Sequence, residues 1–511
     1  MKDAKVLKNS YYDSVTLMST TVQIKKDLGL NDLVMFMGTD MNKDMIKSVG
    51  LYHESLDEAK PNDLMLAIDM QDTIDHWVDE VIKRLNSKKK TEKKGEQKLT
   101  SIHQAKDVLD ANIAVISVPG IYAAHEAFKA LDENMHVMMF SDNVSVEDEI
   151  KLKDYAIEKD LLVMGPDCGT AIINGKGLCF ANQVKRGLIG LVAASGTGLQ
   201  EVTVIIDRFG GGITQAIGVG GRDLSEAVGG KMMLKGLDAL DEDEDTKVIV
   251  LISKPPHQNV LEKIKERLKH VTKPVVLCLL DAHLDEKIDR VSFVSTLTDA
   301  AIESLKLVGI KTPDLLAFDD QLKDQIKKNK QRFMPSQTKI KGLFCGGTLT
   351  AETLSILRPL VNKVTSNVAK KTDEKMKDPR VSDGHNLVDL GDDIFTQGKP
   401  HPMIEPTIRI DRILQEAKNP ETAVILLDFE LGLGSHEDPV GITLSGIEDA
   451  KKIAAQENRS LAFVGYVCGT EQDAQGLKKS ENLLKNAGVI VAKTNAQAAV
   501  IAASLVSEVK R

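Results

Sequence analysis

Two glycine turns about 150 residues apart have the residue types needed to hold a phosphate group. Ser195-Gly196-Thr197-Gly198 follows the apolar run Leu188–Ala193, and Gly346-Gly347-Thr348 follows Lys341–Cys345. Each leads into a helical pattern. Small residues at a helix start bare backbone N–H groups, and the helix dipole adds about half a positive charge there. Two such turns in matched domains can face each other across one anion, which points to chemistry on a phosphate. Taken singly, each turn is also an ordinary N-cap, in which Ser and Thr satisfy orphan amides.

Other residues could complete such a site. Arg222 follows Gly220-Gly221, where the backbone can approach a ligand closely, and offers a planar fork for a carboxylate or phosphate; a salt bridge between domains is the alternative. Lys254 closes a strand before two prolines and is a candidate phosphate clamp. His401, between Pro400 and Pro402, is the candidate acid–base group, with a structural histidine as the alternative. Glu201 and Glu352 read as first-turn carboxylates that complement the helix dipole. Asp392 and Asp393 are adjacent carboxylates that identify no metal, and Cys345 and Cys468 read as small buried packing.

The elements that must position these groups read as parallel α/β. Apolar runs of strand length alternate with helical patterns through most of the 511 residues. Leu33–Met37, Leu64–Ile68, Ile113–Val118, Val137–Phe140 and Leu161–Met164 are expected to build a Rossmann-like domain over residues 1–185, with the lysine-rich stretch 87–96 as a solvated loop. Residues 186–310 and 340–511 share one order: a strand, a glycine turn, a helix, then further strands. They are expected to form two related flavodoxin-like domains joined by a linker over 311–339.

Hydrophobic residues make up 42% of the chain, enough for several cores, and a net charge of −9 argues against nucleic-acid or anionic-membrane partners. No run approaches 18 apolar residues, so no membrane span is expected and the cytoplasm is the expected compartment. The five cysteines show no C-x-x-C spacing, which suggests neither a disulfide framework nor zinc.

These segments, in this order, resemble the succinyl-CoA synthetase superfamily, and specifically its FdrA group. Gly165-Pro166-Asp167-Cys168, Ala194-Ser195-Gly196-Thr197, Gly218-Val219-Gly220-Gly221-Arg222-Asp223, Ser253-Lys254-Pro255-Pro256 and Lys273-Pro274-Val275-Val276 track the α subunit. From Phe344-Cys345-Gly346-Gly347-Thr348-Leu349 onward the chain looks like the carboxy-terminal domain of the β subunit, fused in one polypeptide. Val388-Asp389-Leu390-Gly391-Asp392-Asp393, with His401-Pro402-Met403-Ile404-Glu405-Pro406-Thr407, reads as an FdrA hallmark.

The resemblance carries two departures. The synthetases hold a phosphoryl group on the histidine of a His-Gly-Ala-Gly-Ala motif. Here the corresponding strand runs into Asp281-Ala282-His283-Leu284-Asp285, where His283 reads as a surface histidine. No residues remain between the α-like and β-like parts to build an ATP-grasp domain, so the donor phosphate is not expected from ATP on this chain. Coenzyme A is the one cofactor the resemblance brings. The amino-terminal part lacks G-x-G-x-x-G after its first strand, Met37-Gly38-Thr39-Asp40 being the nearest, so CoA binding is expected to be weak or absent.

A free small phosphate compound would then occupy the two helix starts. The FdrA resemblance implies a subunit of a catabolic carbamoyltransferase, acting on oxamate or oxalurate and carbamoyl phosphate in allantoin breakdown, within a homo-oligomer that includes partner subunits. An acyl-CoA synthetase needing a separate ATP-grasp partner is the alternative, and a non-catalytic metabolite-binding scaffold is a third reading.

Overall fold

A computed structural model describes residues 2–12, 14–28, 33–48, 50–69, 75–89, 99–282, 284, 286–397 and 399–507. His283 and most of the lysine-rich stretch lie outside these residues. The chain divides into two compact units, Met1–Lys98 with Thr396–Pro400, and Leu99–Phe395 with His401–Arg511.

In the first unit, β1 (Lys2–Leu7), β2 (Leu33–Met37) and β3 (Leu64–Asp69) form an antiparallel sheet in the order β1-β3-β2. Leu17, Ile24, Val81 and Leu85 pack on one face, with Leu33, Met35, Leu64, Leu66 and Ile68. On the other, Ile46 and Leu56 pack against Met65 and Ala67. The central strand is therefore buried on both sides. The strands of residues 1–185 thus do not make the single parallel Rossmann-like domain that their apolar runs suggest. A strand covered on both faces reads as an unbroken apolar run whichever way its neighbours point.

The second unit holds three sheets. The smallest is parallel, ordered β4 (Ile113–Ile116), β5 (His136–Met139), β6 (Val163–Met164). A seven-stranded sheet comprises β7 (Thr170–Ile173), β8 (Lys176–Cys179), β9 (Arg186–Ala193), β10 (Ile213–Gly218), β11 (Val248–Ser253), β12 (Val275–Leu279) and β13 (Val291–Val294), in the order β13-β12-β11-β9-β10-β7-β8. The third is parallel throughout: β14 (Lys339–Phe344), β15 (Val364–Ser366), β16 (His385–Asp389), β17 (Thr422–Glu430), β18 (Ala462–Cys468) and β19 (Ile490–Ala492), ordered β15-β16-β14-β17-β18-β19.

With the edge strand β15 and the β7–β8 hairpin set aside, the five strands β10-β9-β11-β12-β13 and the five strands β16-β14-β17-β18-β19 both run 2-1-3-4-5 in chain order, the flavodoxin-like order. The glycine turns follow strand 1 in each case. That is the topological switch point, where neighbouring crossovers leave a crevice beyond the strand ends. The expectation of two related flavodoxin-like parts therefore matches the observed sheets, though the antiparallel β7–β8 hairpin joins the first of them. The stretch 311–339 contains a helix, Asp320–Lys330, whose Ile326 and Leu322 join the common core.

One core cluster spans both large sheets. It runs from Leu191, Leu199 and Val250 through Leu297 and Leu305 to Phe344, Leu349, Leu426 and Ala499. Polar pairs reinforce the junction: Asn182 Nδ2 donates to Asp473 at 2.9 Å, and Arg208 Nε donates to the Gly469 carbonyl at 2.8 Å. The two glycine-turn helices are thus held rigidly against each other.

Candidate functional site

Strands β9 and β14 deliver the two glycine turns to one place. The first helix, Gly196–Arg208, is capped by Ser195, whose Oγ accepts the Gly198 N–H at 2.9 Å. The same hydroxyl lies 2.6 Å from Thr348 Oγ1 at the start of the second helix, Gly347–Leu357. A Cβ on Gly198 would stand 3.1 Å from Thr348 Cγ2, and one on Gly346 only 3.1 Å from Thr197 Oγ1. Glycine is needed at both positions because the two helix starts interlock. Gly346, the N-cap of the second helix, supplies no side-chain cap, so the first amides of that helix stay available as donors.

Several charged groups surround this junction. Lys254, just beyond β11, is close enough to Asp389 and Asp167 to favour their charged forms. Asp389 ends β16; its Oδ1 accepts the Gly391 N–H at 2.9 Å, and its Oδ2 would meet a Cβ on Gly347 at 2.4 Å. Enclosure by protein pushes the Asp389 carboxyl up to about 7, with Asp428 and Asp392 adding to the rise. The Asp167 side chain reaches water, yet the surrounding protein and then Asp142 and Asp393 raise it to about 6.

Beneath the second turn, Asp428 accepts the N–H groups of Cys345 and Gly346 and pairs with Arg409 at 2.8 Å. Cys345, Asp428 and Glu430 lie together, but the buried Arg409 guanidinium contacts both Cys345 and Asp428 and already supplies the positive charge there. Burial also holds the Cys345 and Cys468 thiols well above the usual range, so both are inert packing groups.

The other expected site residues fall into clear places. Gly196 faces Thr170 Oγ1, and Gly221 has open space where a Cβ would be. Gly220 has φ +83°, and a Cβ there would strike the Pro166 carbonyl at 2.4 Å; it serves chain packing, not ligand approach. Arg222 takes the salt-bridge alternative: its Nε lies 3.0 Å from Glu149 and its Nη2 donates to the Val144 carbonyl.

His401 is not poised for acid–base work. Its Nδ1 accepts the Met403 N–H at 3.2 Å, its ring packs near Phe180, and burial lowers it to about 4, leaving a neutral imidazole at pH 7. Glu201 and Glu352 are fully buried and stand beyond the first helical turn, so they do not complement the dipole there. Asp389, raised to about 7 beside the second turn, is a candidate that the sequence reading did not single out. Its signal was its place as the last residue of an apolar strand, where such sheets carry their chemistry.

Comparison with known proteins agrees with this architecture. Residues 343–505 match the CoA-ligase family, residues 184–279 the CoA binding domain, and residues 1–101 the heavy metal-associated domain of AllF. None of the five cysteines lies in this amino-terminal match, the first being Cys168. Within it Asp63 closes the loop after β1, accepting the N–H groups of Asn9 and Lys60, each at 2.8 Å.

The chain is 30% identical over 183 residues to the α subunit of succinate–CoA ligase [ADP-forming] from Staphylococcus epidermidis (strain RP62A), spanning 34% of this chain and 58% of that one. Among solved structures, the dinucleotide-forming acetyl-coenzyme A synthetase 1 of Ca. Korarchaeum cryptofilum, in complex with phosphate and ADP, is 15% identical; the match covers 81% of this chain and 86% of that one at a TM-score of 0.31. The protein YahF of Escherichia coli (strain K12) is 45% identical over 501 residues, 97% of this chain and 96% of that one. The chain therefore belongs to the YahF family, within the FdrA-type, CoA-ligase-like branch of the succinyl-CoA synthetase superfamily.

Proposed function

We propose that this chain is the acyl-phosphate-handling subunit of an acyl-CoA-synthetase-like enzyme. The observation that carries the reading is the 2.6 Å approach of Ser195 Oγ to Thr348 Oγ1, which brings two helix N-termini to one point. The amides of Gly196, Thr197, Gly347 and Thr348, with the hydroxyls of Ser195, Thr197 and Thr348, then bind the phosphate of an acyl phosphate, while Gly198 and Gly346, whose N–H groups go to Ser195 and Asp428, let the two turns close on each other. Lys254 neutralises the leaving phosphate, and Asp389 takes the proton of the attacking acceptor. Transfer from an acyl phosphate needs positioning and donors aimed at developing charge more than covalent help from the protein. The match to the α subunit of a ligase supports a requirement for partner subunits.

A second reading, carbamoyl transfer from carbamoyl phosphate to a small acceptor such as oxamate, has its own support. Asp142 and Asp393 act on Asp167 alongside Lys254, and these carboxylates repel coenzyme A, with its several negative charges, more than a small acceptor that carries one. Residues 281–285 also lack the glycine–alanine run of a phosphohistidine loop.

One assay addresses both readings: phosphate release from acetyl phosphate and from carbamoyl phosphate, each with CoA or oxamate as acceptor, with and without co-purified partners. Acceptor-dependent release from either donor supports the site, and CoA against oxamate decides between the readings. No release under any of these conditions would overturn it.

Two further outcomes are expected. CoA alone should bind weakly, and incubation with γ-labelled ATP should leave no label on the chain; a stable phosphoenzyme would restore a phosphohistidine mechanism. Thr197→Val should lower acyl- or carbamoyl-phosphate turnover by roughly 10- to 150-fold, the equivalent of about 1.5–3 kcal/mol for one hydrogen bond to a charged group. Folding should be spared, because Ser195, not Thr197, caps the helix. Unchanged turnover in a folded Thr197→Val protein would remove that hydroxyl from the site.

A further inference from the structure

The sixth residue of each glycine-turn helix is a fully buried glutamate, Glu201 in one and Glu352 in the other. Each carboxylate caps a helix that belongs to the opposite flavodoxin-like part. Glu201 Oε1 accepts the N–H of Asn495, first residue of the Asn495–Val506 helix, at 3.1 Å. Glu352 Oε1 accepts the N–H of Leu297, first residue of the Leu297–Leu307 helix, at 2.7 Å. Asn495 joins the two, its backbone N–H meeting Glu201 while its Nδ2 donates to Glu352 Oε2 at 2.7 Å and to the Leu349 carbonyl at 3.0 Å.

Two buried carboxylates are thus tied to the same residue, Asn495, behind the two helix starts. The titratable groups around them are Tyr466 and Cys468 from β18, Cys278 from β12, and Arg208 from the helix that bears Glu201. Arg208 is the only cation in that set, and its guanidinium is spent on the carbonyls of Gly469, Lys493 and Val467.

We propose that Glu201 and Glu352, bridged by Asn495, act as one electrostatically coupled pair that sets, through pH, how tightly the two helix starts hold an anion. With one proton the pair carries a single negative charge. When that proton leaves, a second buried charge appears behind both helix starts and opposes the ligand. Burial raises both groups, Glu352 to about 8 with Glu201 repelling it, and Glu201 to about 6. Five residues at about 1.5 Å rise place this pair roughly 8 Å from the first amides, within the range where charges in a protein interior still interact. The coupling rests on the anion site proposed above, whereas the pairing rests on the cross-domain hydrogen bonds alone.

Glu201→Gln is the informative variant. Its carbonyl can still accept from Asn495, and its amide faces the Tyr466 hydroxyl, so the fold should hold. Glu352→Gln is less suitable, since both Glu352 oxygens accept N–H groups. The probe is sulfate, which stays a dianion between pH 6 and 9, with affinity measured by titration calorimetry on the full chain. Wild-type affinity should fall about tenfold as pH rises through about 8. Glu201→Gln, which never carries the second charge, should match wild type near pH 7 and bind about tenfold tighter than it at pH 9.

A parallel fall in both proteins would overturn the pair while leaving the anion site standing. Absence of sulfate binding at every pH would overturn the anion site and this coupling with it. Thermal stability gives a readout that needs no ligand. A carboxyl raised in the folded state stabilises most at low pH and loses that contribution as pH climbs to its folded value. Wild type should therefore lose stability between about pH 5 and 8, and Glu201→Gln should lose less; equal losses would also overturn the pair.

Discussion

Replacing Asp389 by asparagine is expected to lower acyl- or carbamoyl-phosphate turnover by about 10²- to 10⁴-fold at pH 8, the span that a positioned general base contributes. The carboxyl sits at the strand end beside Gly347 with Lys254 acting on it, and its enclosure brings it up to about 7. As a base it works only when ionised, so wild-type turnover should rise as pH climbs through about 7, and the variant should show a flat profile there.

Stability should move the other way. The folded value is raised, so the group's contribution is present at low pH and lost as pH rises toward 7. Asp389→Asn should then melt higher than wild type at pH 8 and about the same at pH 4. The asparagine carbonyl can still accept the Gly391 N–H, so no hydrogen bond of the strand end is lost. A variant that is fully active at pH 8, or that keeps the inflection near 7, would show that the base lies elsewhere.

How much of this was legible before the structure varies with the physics of each feature. The glycine turns were legible because a short apolar strand, small residues and an amphipathic run are all local signals, and they recur in the same order. That order reappears as 2-1-3-4-5 in both sheets, with the turns at the switch points. The amino-terminal sheet was not legible in direction: Leu64-Met65-Leu66-Ala67-Ile68 is buried on both faces, and nothing in such a run says whether its neighbours are antiparallel.

Site residues divide in the same way. Arg222 and His401 have the right chemistry, but a distant carboxylate claims one and a neighbouring backbone amide the other. Only the folded chain reveals such claims. Asp389 shows the converse, since aspartate is common and becomes a base only when enclosure raises its carboxyl. Glu201 and Glu352 looked like surface complements to a dipole because helical position can be read from sequence while burial between two domains cannot.

Gly347→Val is expected to cut turnover by about 10²-fold, the penalty for moving a reacting group by about an ångström. The glycine is not needed for a left-handed backbone, since its φ is not positive. What it provides is room. A Cβ would stand 2.4 Å from Asp389 Oδ2 and 3.4 Å from Asp389 Cγ, so the carboxylate must turn away from the helix start. Overpacking of this kind costs typically 1–3 kcal/mol of stability, which a domain with so extensive a core tolerates.

If the loss of activity runs through Asp389, it will not add to the loss from Asp389→Asn, because residues in contact are coupled. The double variant should then be no worse than Asp389→Asn alone, whereas sulfate affinity should report any separate damage to the amides. Losses that multiply in the double variant, with sulfate binding intact, would mean that Gly347 acts independently of Asp389 and that the crowding of its carboxylate is not how the valine lowers turnover.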